Sequence, residues 1–282
     1  MADLNISHDE LRDLDVSRPH TEFIHSQAQT QSPWARPGLA PGLKQRTLSR
    51  DPVKGGASLL LDYPAGYQSD DSALSVAEEL FVLEGSLQLA GTRFEQHDYG
   101  FVPPGAPRST LSSADGATVL CFFDALPQPG PADPDAQVQH LATAEMPWEP
   151  GIADPNLKFM GLGRKVLRDD PERQERVLLL TMAPQAYPAA TGAPQIAHPC
   201  VEEMYLFSGD VISEYGVMQA GAYFWRPAMI FHGPHGSRNG AFMLIRFVEG
   251  EHVNIWADEP SYFDPHPPLQ PVIPQGQGID QS

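Results

Sequence analysis

Three residues in the second half of the chain have side chains that bind divalent metals. His198 and Glu202 are separated by three residues, and His232 follows thirty residues after Glu202. In a β-strand, residues an even number apart lie on one face, so His198 and Glu202 can converge while His232 comes from another strand. Two imidazoles and one carboxylate form the facial set of non-haem Fe(II) oxygenases, which zinc also accepts. From spacing alone, the alternative of ordinary polar residues with satisfied hydrogen bonds stays open.

Neighbouring residues are further candidates for the same site. Arg246 would orient a carboxylate, enolate or phenolate if it faces inward, and is otherwise a solvent-facing arginine. His235 is either a fourth ligand or acid–base group, or a histidine of a surface loop. Cys200 points to the same side as the two ligand candidates by simple alternation, as a thiolate ligand or as a small buried hydrophobe. Trp225 and Arg226 either line the mouth of the site or pack the two halves of the chain together.

An internal repeat organises the chain around these residues. The segment EELFVLEG, which begins at Glu78, returns as EEMYLFSG at Glu202, and the same offset of 124 residues relates Pro103 to Pro227. Upstream of these segments the offset shrinks in steps, as loop insertions between fixed strands would produce. Ordered matches of this number indicate a tandem duplication.

The two copies differ at the residues that could do chemistry. Leu74 and Arg108 stand in the first copy where His198 and His232 stand in the second. Residues needed only for packing would be expected to look alike in both copies. The comparison therefore favours a metal site in the second copy and a structural role for the first.

Each copy has the pattern of a β protein. Stretches such as ASLLLDY and ATVLCFF in the first copy, and RVLLLTM and AFMLIRF in the second, are apolar or alternating and are punctuated by Gly, Pro or Asp. The chain contains 24 Gly and 29 Pro, which is typical of a turn-rich sandwich or barrel. Helical periodicity is scarce outside the first 20 residues.

Composition excludes several classes of function. The net charge of −18 leaves no basic face for nucleic acid or for an anionic membrane surface. Two cysteines cannot form a disulfide framework, and no apolar run approaches the roughly 18 residues needed to span a bilayer. The polar, acidic N-terminal segment has no signal-peptide pattern. We therefore expect a soluble, cytoplasmic protein.

The spacing in the second copy resembles the two motifs of the cupin superfamily. Glu202 is followed after six residues by Gly209, and Gly221 is followed after five residues by Pro227, with His232 at the spacing of the last cupin ligand. More narrowly, HPCVEEMYLFSGD and YFWRPAMIFHGP resemble the cupins grouped with acetylacetone-cleaving dioxygenases and zinc-binding anti-sigma-factor domains. Two positions depart from the pattern, because Ile196 replaces the first histidine and Met229 replaces the Gly of the P-x-G turn.

The resemblance implies an all-β bicupin of tandem jelly-roll barrels, each a double-stranded β-helix. It predicts an N-terminal arm (1–30), a structural cupin domain (31–130), a metal-binding domain (131–256) and a Pro/Gln-rich tail (257–282). It implies one divalent metal per chain on His198, Glu202 and His232, with Fe(II) favoured and Zn, Ni or Mn as alternatives.

The function implied is an Fe(II) dioxygenase that cleaves a C–C bond of a small diketone, hydroxy-ketone or phenolic substrate. Arg246 and His235 are the candidates for catalytic roles beside the metal. Two alternatives stay open: a redox-neutral metal-dependent lyase or isomerase, and a non-catalytic sensor of a metal or small molecule. The resemblance is compatible with a homodimer, and the expected partner is a small-molecule substrate.

Overall fold

The computed structural model describes residues 17–151, 154–188 and 192–272. Within these ranges it contains 21 β-strands and three short 3-10 helices, Ser26–Ala28, Thr143–Glu145 and Pro155–Met160, which confirms the predicted all-β class. The helical periodicity predicted for the first 20 residues falls almost wholly outside the described residues. In the part of the chain that the structure describes, no helix is long and apolar enough to cross a membrane.

The first barrel is built from two antiparallel sheets. Its strands are β2 (Gln31–Pro33), β3 (Lys44–Arg50), β4 (Gly55–Tyr63), β5 (Tyr67–Asp70), β6 (Glu78–Gly85), β7 (Leu87–Leu89), β8 (Thr92–Phe94), β9 (Asp98–Val102), β10 (Thr110–Ser113), β11 (Ala117–Ala125) and β12 (Gln139–Ala142). A seven-stranded sheet in the order β12-β9-β6-β11-β4-β3-β2 faces a four-stranded sheet in the order β5-β10-β7-β8.

The second barrel repeats this plan. Its strands are β1 (Thr21–His25), β13 (Glu149–Pro150), β14 (Gly163–Asp170), β15 (Glu175–Ala186), β16 (Gly192–Ala197), β17 (Val201–Ser213), β18 (Gly216–Gln219), β19 (Ala222–Arg226), β20 (Ser237–Val248) and β21 (Ile255–Tyr262). The large sheet runs β1-β19-β17-β20-β15-β14-β13, with β18 pairing β17, and a two-stranded sheet joins β16 to β21. β21 extends into the range predicted as the tail.

The two barrels exchange their edge strands. β1 precedes the first copy in the chain but pairs with β19 of the second barrel, and β12 lies in the range predicted as the metal-binding domain but pairs with β9 of the first. The backbone N–H of Ser26 donates to Gly221 at one junction, and the Thr143 hydroxyl donates to the carbonyl of His97 at the other. The described part of the predicted N-terminal arm therefore contributes a strand, Thr21–His25, to the second barrel.

The large sheets of both barrels are buried on both faces. On β20, Met243, Ile245 and Phe247 belong to the apolar interior of the second barrel. The alternate residues Leu244 and Val248 belong to a separate cluster that joins the two barrels and includes side chains from each. Because side chains alternate along a strand, each central strand contributes to two cores at once.

Candidate metal centre

Three buried side chains converge at one end of the second barrel. His198, Glu202 and His232 each offer a ligand atom, and these atoms lie within 4.8 Å of one another. Glu202 is on β17 and His198 precedes that strand. His232 follows β19 and is held against Ile196 by two backbone hydrogen bonds of 3.0 and 2.9 Å. The structure thus brings together the three residues that the sequence predicted as ligands.

Both histidines are oriented by backbone carbonyl groups. His198 Nδ1 lies 3.0 Å from the carbonyl oxygen of Val253, and His232 Nδ1 lies 3.0 Å from that of Ile230. A carbonyl oxygen only accepts, so each Nδ1 carries the proton and each Nε2 presents a lone pair. Histidine ligands of metals are commonly fixed in this way.

The ionisation states also suit a metal. Burial would raise the pKa of Glu202, but the surrounding groups, His232 and Arg226 foremost, outweigh it and hold the pKa well below its usual value. Burial lowers the pKa of His232 to about 4. An ionised carboxylate and neutral imidazoles are the forms that bind metals. The donor set therefore fits a divalent ion.

The two departures from the cupin pattern have structural consequences. Ile196, at the place of the first cupin histidine, is buried and lines the cavity beside the three ligand candidates, so it supplies apolar wall instead of a donor. Met229 has a φ of 65°, in the left-handed region, as does its counterpart Gly105 with a φ of 77°. Its backbone N–H donates to the carbonyl of His198 across 2.7 Å, so the turn is kept without glycine.

The three side chains lie at one wall of a cavity whose lining is mostly apolar. Its volume is about 110 Å³, several times the roughly 10–15 Å³ that one water requires. The apolar lining residues are Leu157, Met160, Leu162, Leu178, Leu180, Met182, Ile196, Met204, Val211, Met218, Phe224, Met243, Ile245 and Phe247. Besides the three ligand candidates, the polar lining residues are His235, His252 and Asn254.

His235 and His252 belong to this cavity. The buried Nε2 of His235 has no hydrogen-bond partner in the structure, and its ring lies 5.4 Å from that of His232. Burial holds the pKa of His235 well below its usual value. His252, which sequence reasoning missed, stacks on Phe247 with ring centroids 3.5 Å apart. Its equivalent in the first copy is a glutamine, Gln128, so the copy comparison could have found it.

Cys200 has no ligand atom in the cluster formed by the described residues. It is buried among the apolar side chains of the barrel. Burial, together with the nearby carboxylate of Glu202, raises the pKa of its thiol to about 12. The geometry agrees with the alternative of a small buried hydrophobe.

The structure does not bring Arg246 to this cavity. Arg246 is on the face of β20 that contacts the first barrel, because its neighbours Ile245 and Phe247 take the interior positions. Its Nε donates to Glu79 across 2.8 Å and its Nη1 to Glu203 across 2.5 Å. It is neither a solvent-facing arginine nor a group placed to orient a substrate. Arg246 neutralises buried carboxylates from both barrels.

The two residues beside the motif turn have separate positions. Trp225 packs in the cluster between the barrels. Arg226 is on the opposite face of β19, where its Nη1 donates to Glu202 across 3.0 Å. The packing alternative therefore applies to Trp225, whereas Arg226 contacts Glu202 from outside the cavity lining.

The first barrel replaces the cluster with an ion pair. Arg108 Nη1 lies 2.7 Å from Glu78 and 3.2 Å from Asp71, and Asp71 also pairs with Arg36 at 2.8 Å. Leu74 stands at the place of His198 and is part of the barrel core. Arginine has no lone pair for a metal. The first barrel thus lacks the second barrel's donor set at the equivalent positions.

The chain has the fold of a tandem cupin. Residues 27–254 match the model of a family described as a domain of unknown function (DUF4437), and the chain belongs to that family. Among curated proteins, none matches the sequence significantly.

Solved structures share the architecture at low sequence identity. A protein described as a candidate dioxygenase from Nostoc punctiforme PCC 73102 superposes with a TM-score of 0.71 at 18% identity, covering 90% of this chain and 89% of that one. A candidate glyoxylate-induced protein from Pseudomonas aeruginosa superposes with a TM-score of 0.57 at 16% identity, covering 79% of this chain and 85% of that one. Oxalate decarboxylase from Bacillus subtilis superposes with a TM-score of 0.53 at 14% identity, covering 84% of this chain and 78% of that one. At these identities the likeness concerns the fold.

Proposed function

We propose that the second barrel is a metal-dependent enzyme whose active centre is the cluster of His198, Glu202 and His232. The observation that carries this proposal is the convergence of two histidines and an ionised carboxylate at the wall of a mostly apolar cavity. We favour Fe(II) and a dioxygenase that cleaves a C–C bond. A bound Fe(II) ion supplies open coordination positions and redox chemistry at a facial two-histidine, one-carboxylate set.

The cavity favours an apolar, uncharged substrate. Among the described residues that line it, none is lysine or arginine, and the remaining wall is mostly Leu, Met, Ile and Phe. A dianion such as oxalate would lose its hydration there without gaining a cationic side chain. A small diketone, hydroxy-ketone or phenol has apolar parts for the wall and oxygen atoms for the metal side.

His235 is the candidate for handling a proton. Its Nε2 is buried, unpartnered and part of the cavity wall. A neutral imidazole accepts a hydrogen bond at Nε2 from the hydroxyl or enol group of a substrate when Nδ1 carries the proton, and donates one when Nε2 carries it. The chain's own groups thus supply a mostly apolar pocket, three candidate ligands and one unpartnered imidazole nitrogen.

The donor set also supports a second function. Zinc accepts two histidines and one carboxylate with an open position and polarises carbonyl oxygens without redox chemistry. With zinc, nickel or manganese in place of iron, the same pocket would suit a lyase or isomerase. The identity of the bound metal separates the two candidates.

The first test is the metal content of protein purified without oxygen, measured by mass spectrometry. The His232→Ala variant removes one ligand, and His140→Ala, a histidine of the first barrel that pairs with Asp98, is the matched control. About one iron per chain in wild type and control, lost in His232→Ala, supports the dioxygenase and leads to oxygen-uptake assays on diketones and phenolic ketones. One zinc, nickel or manganese supports the redox-neutral function. No metal in wild-type protein, even after incubation with each ion, overturns the proposal.

A further inference from the structure

We propose that Glu22, on the exchanged strand β1, is a positioning residue of the metal centre in the second barrel. It acts through Arg226 on the carboxylate of Glu202. The strand that precedes the first copy would then complete the site of the second. This inference rests on the proposed metal site and concerns the affinity of that site for its ion.

A continuous set of contacts leads from β1 to the metal cluster. Glu22 Oε1 accepts from Arg226 Nε across 3.0 Å and from Nη2 across 2.7 Å. The remaining Nη1 of Arg226 donates to Glu202 Oε2 across 3.0 Å. His20 Nε2 lies 2.8 Å from the other oxygen of Glu22. One guanidinium therefore bridges a carboxylate of the exchanged strand and a candidate ligand.

Burial strengthens the electrostatic interaction between Arg226 and Glu202. The side chain of Arg226 is 2% exposed and that of Glu202 is 10% exposed. Their interaction is little screened by solvent. An uncompensated guanidinium beside Glu202 would compete with a divalent ion for the carboxylate and repel the ion. Glu22 neutralises the guanidinium and leaves the negative charge of Glu202 available to the metal.

The same contacts fix the direction of the Glu202 carboxylate. Arg226 is held at three nitrogen atoms, and its guanidinium lies 3.8 Å from the centroid of the Phe224 ring. It therefore holds Glu202 Oε2, which is also 3.2 Å from His232 Nε2. Partners that orient a ligand in this way commonly change metal affinity 10- to 100-fold when they are removed.

The first barrel has no arginine at the position equivalent to Arg226. Val102 occupies the position of Arg226 in the first copy, and Glu78 is paired with Arg108. The link from Glu22 through Arg226 to the motif glutamate is thus present in the barrel with the two histidines and absent from the barrel without them.

The test is a titration of metal-free protein with Co²⁺ in competition with a chromophoric chelator. We compare wild type, Glu22→Gln, Arg226→Met and the double variant. We expect about a 10- to 100-fold loss of affinity in Glu22→Gln. In the Arg226→Met background the same change should have less than about a twofold effect, because the residue through which Glu22 acts is gone. Glu149→Gln, which breaks an exposed ion pair with Arg164 at the other sheet edge, is the control for removal of a glutamate charge and should bind like wild type.

Two further readouts separate positioning from folding. The absorption spectrum of bound Co²⁺ should change in Glu22→Gln, because the orientation of a ligand changes, and Glu22→Asp, which keeps the charge, should recover part of the affinity. Thermal unfolding of the metal-free variants verifies the fold, and Glu22→Asp replaces Glu22→Gln in the cycle if the latter is unfolded.

The outcomes are distinguishable from those of the proposed function. Wild-type protein that binds no metal overturns both proposals. Wild-type protein that binds metal with an affinity unchanged in Glu22→Gln overturns this inference alone. Equal losses in the two backgrounds also overturn it, because Glu22 would then act independently of Arg226.

Discussion

Arg108 donates to Glu78 across 2.7 Å at the place in the first barrel where His232 lies 3.2 Å from Glu202 in the second. The same glutamate of the duplicated motif thus faces a permanent cation in one barrel and a neutral imidazole in the other. The guanidinium compensates the charge of Glu78 directly. The carboxylate of Glu202 accepts a hydrogen bond from Arg226 at Oε2 and keeps its other lone pairs for a metal.

Replacing Arg108 by histidine should not create a second metal site. Leu74 offers no donor at the place of His198, and Glu78 and Asp71 would lose their shared cation. Removing one partner of a buried ion pair costs about 3–5 kcal/mol. We therefore expect a lower free energy of unfolding in chemical denaturation and an unchanged metal content. A second equivalent of metal per chain in Arg108→His would contradict this.

Arg246→Met should destabilise the junction between the barrels and leave the metal centre intact. The change leaves Glu79 and Glu203 buried with less compensation, at a cost of about 3–5 kcal/mol. Denaturant unfolding measures the loss, and metal content reports on the site. An Arg246→Met protein of normal stability with altered turnover would restore the catalytic role first considered for this residue.

The free energy of unfolding should fall in acid because of two carboxyl groups, Glu79 and Glu203, at the junction between the barrels. Burial would raise the pKa of Glu79, but Arg246 and Arg168 outweigh it and lower the pKa below 4.5. The pKa of Glu203 is likewise lowered, because Arg18 and Arg246 outweigh the effect of its burial. A carboxyl whose pKa is lower in the folded state stabilises above its unfolded pKa of about 4.3 and loses this contribution as pH falls through the folded value.

The free energy of unfolding, measured from pH 7 to pH 3, should therefore decline below about pH 4.5, in addition to an earlier decline below about pH 6.5 caused by the buried neutral histidines His232 and His252, whose pKa values are lowered to about 4. Glu95→Gln is the control, since Glu95 forms an exposed pair with Arg93. This control should follow the wild-type curve. A wild-type curve that stays flat down to pH 3 would show that these carboxyl groups contribute no such stability.

Neither cysteine should react with iodoacetamide in the native protein at pH 8. Burial raises the pKa of Cys200 to about 12 and that of Cys121 well above its usual value, so the reactive thiolate is scarce. Both thiols should be alkylated after unfolding in guanidinium chloride, as followed by mass spectrometry. Stoichiometric alkylation of Cys200 in native, metal-free protein would instead indicate an accessible thiolate near the ligands.

The repeat in the sequence predicted the tandem barrels because strands that pair in one copy must pair alike in the other. Alternation likewise predicted that His198 and Glu202 share one face. Together with the spacing of His232 in the second motif, this made the cluster predictable. The difference between copies at Leu74 and Arg108 was readable for the same reason. These predictions depend on local periodicity and on comparison of equivalent positions.

Alternation could not tell which face of β20 is the interior, because both faces are buried. Only the packing of one barrel on the other shows that Arg246 faces Glu79 and Glu203 and not the cavity. Pairing of β1 with β19 leaves no local signal either, since the partners lie about 200 residues apart in the chain. The sequence by itself determined the class of fold and the donor set. The contact of Glu22 with Arg226 and the apolar wall were decided by tertiary structure, because they depend on surfaces that meet only after both barrels have folded.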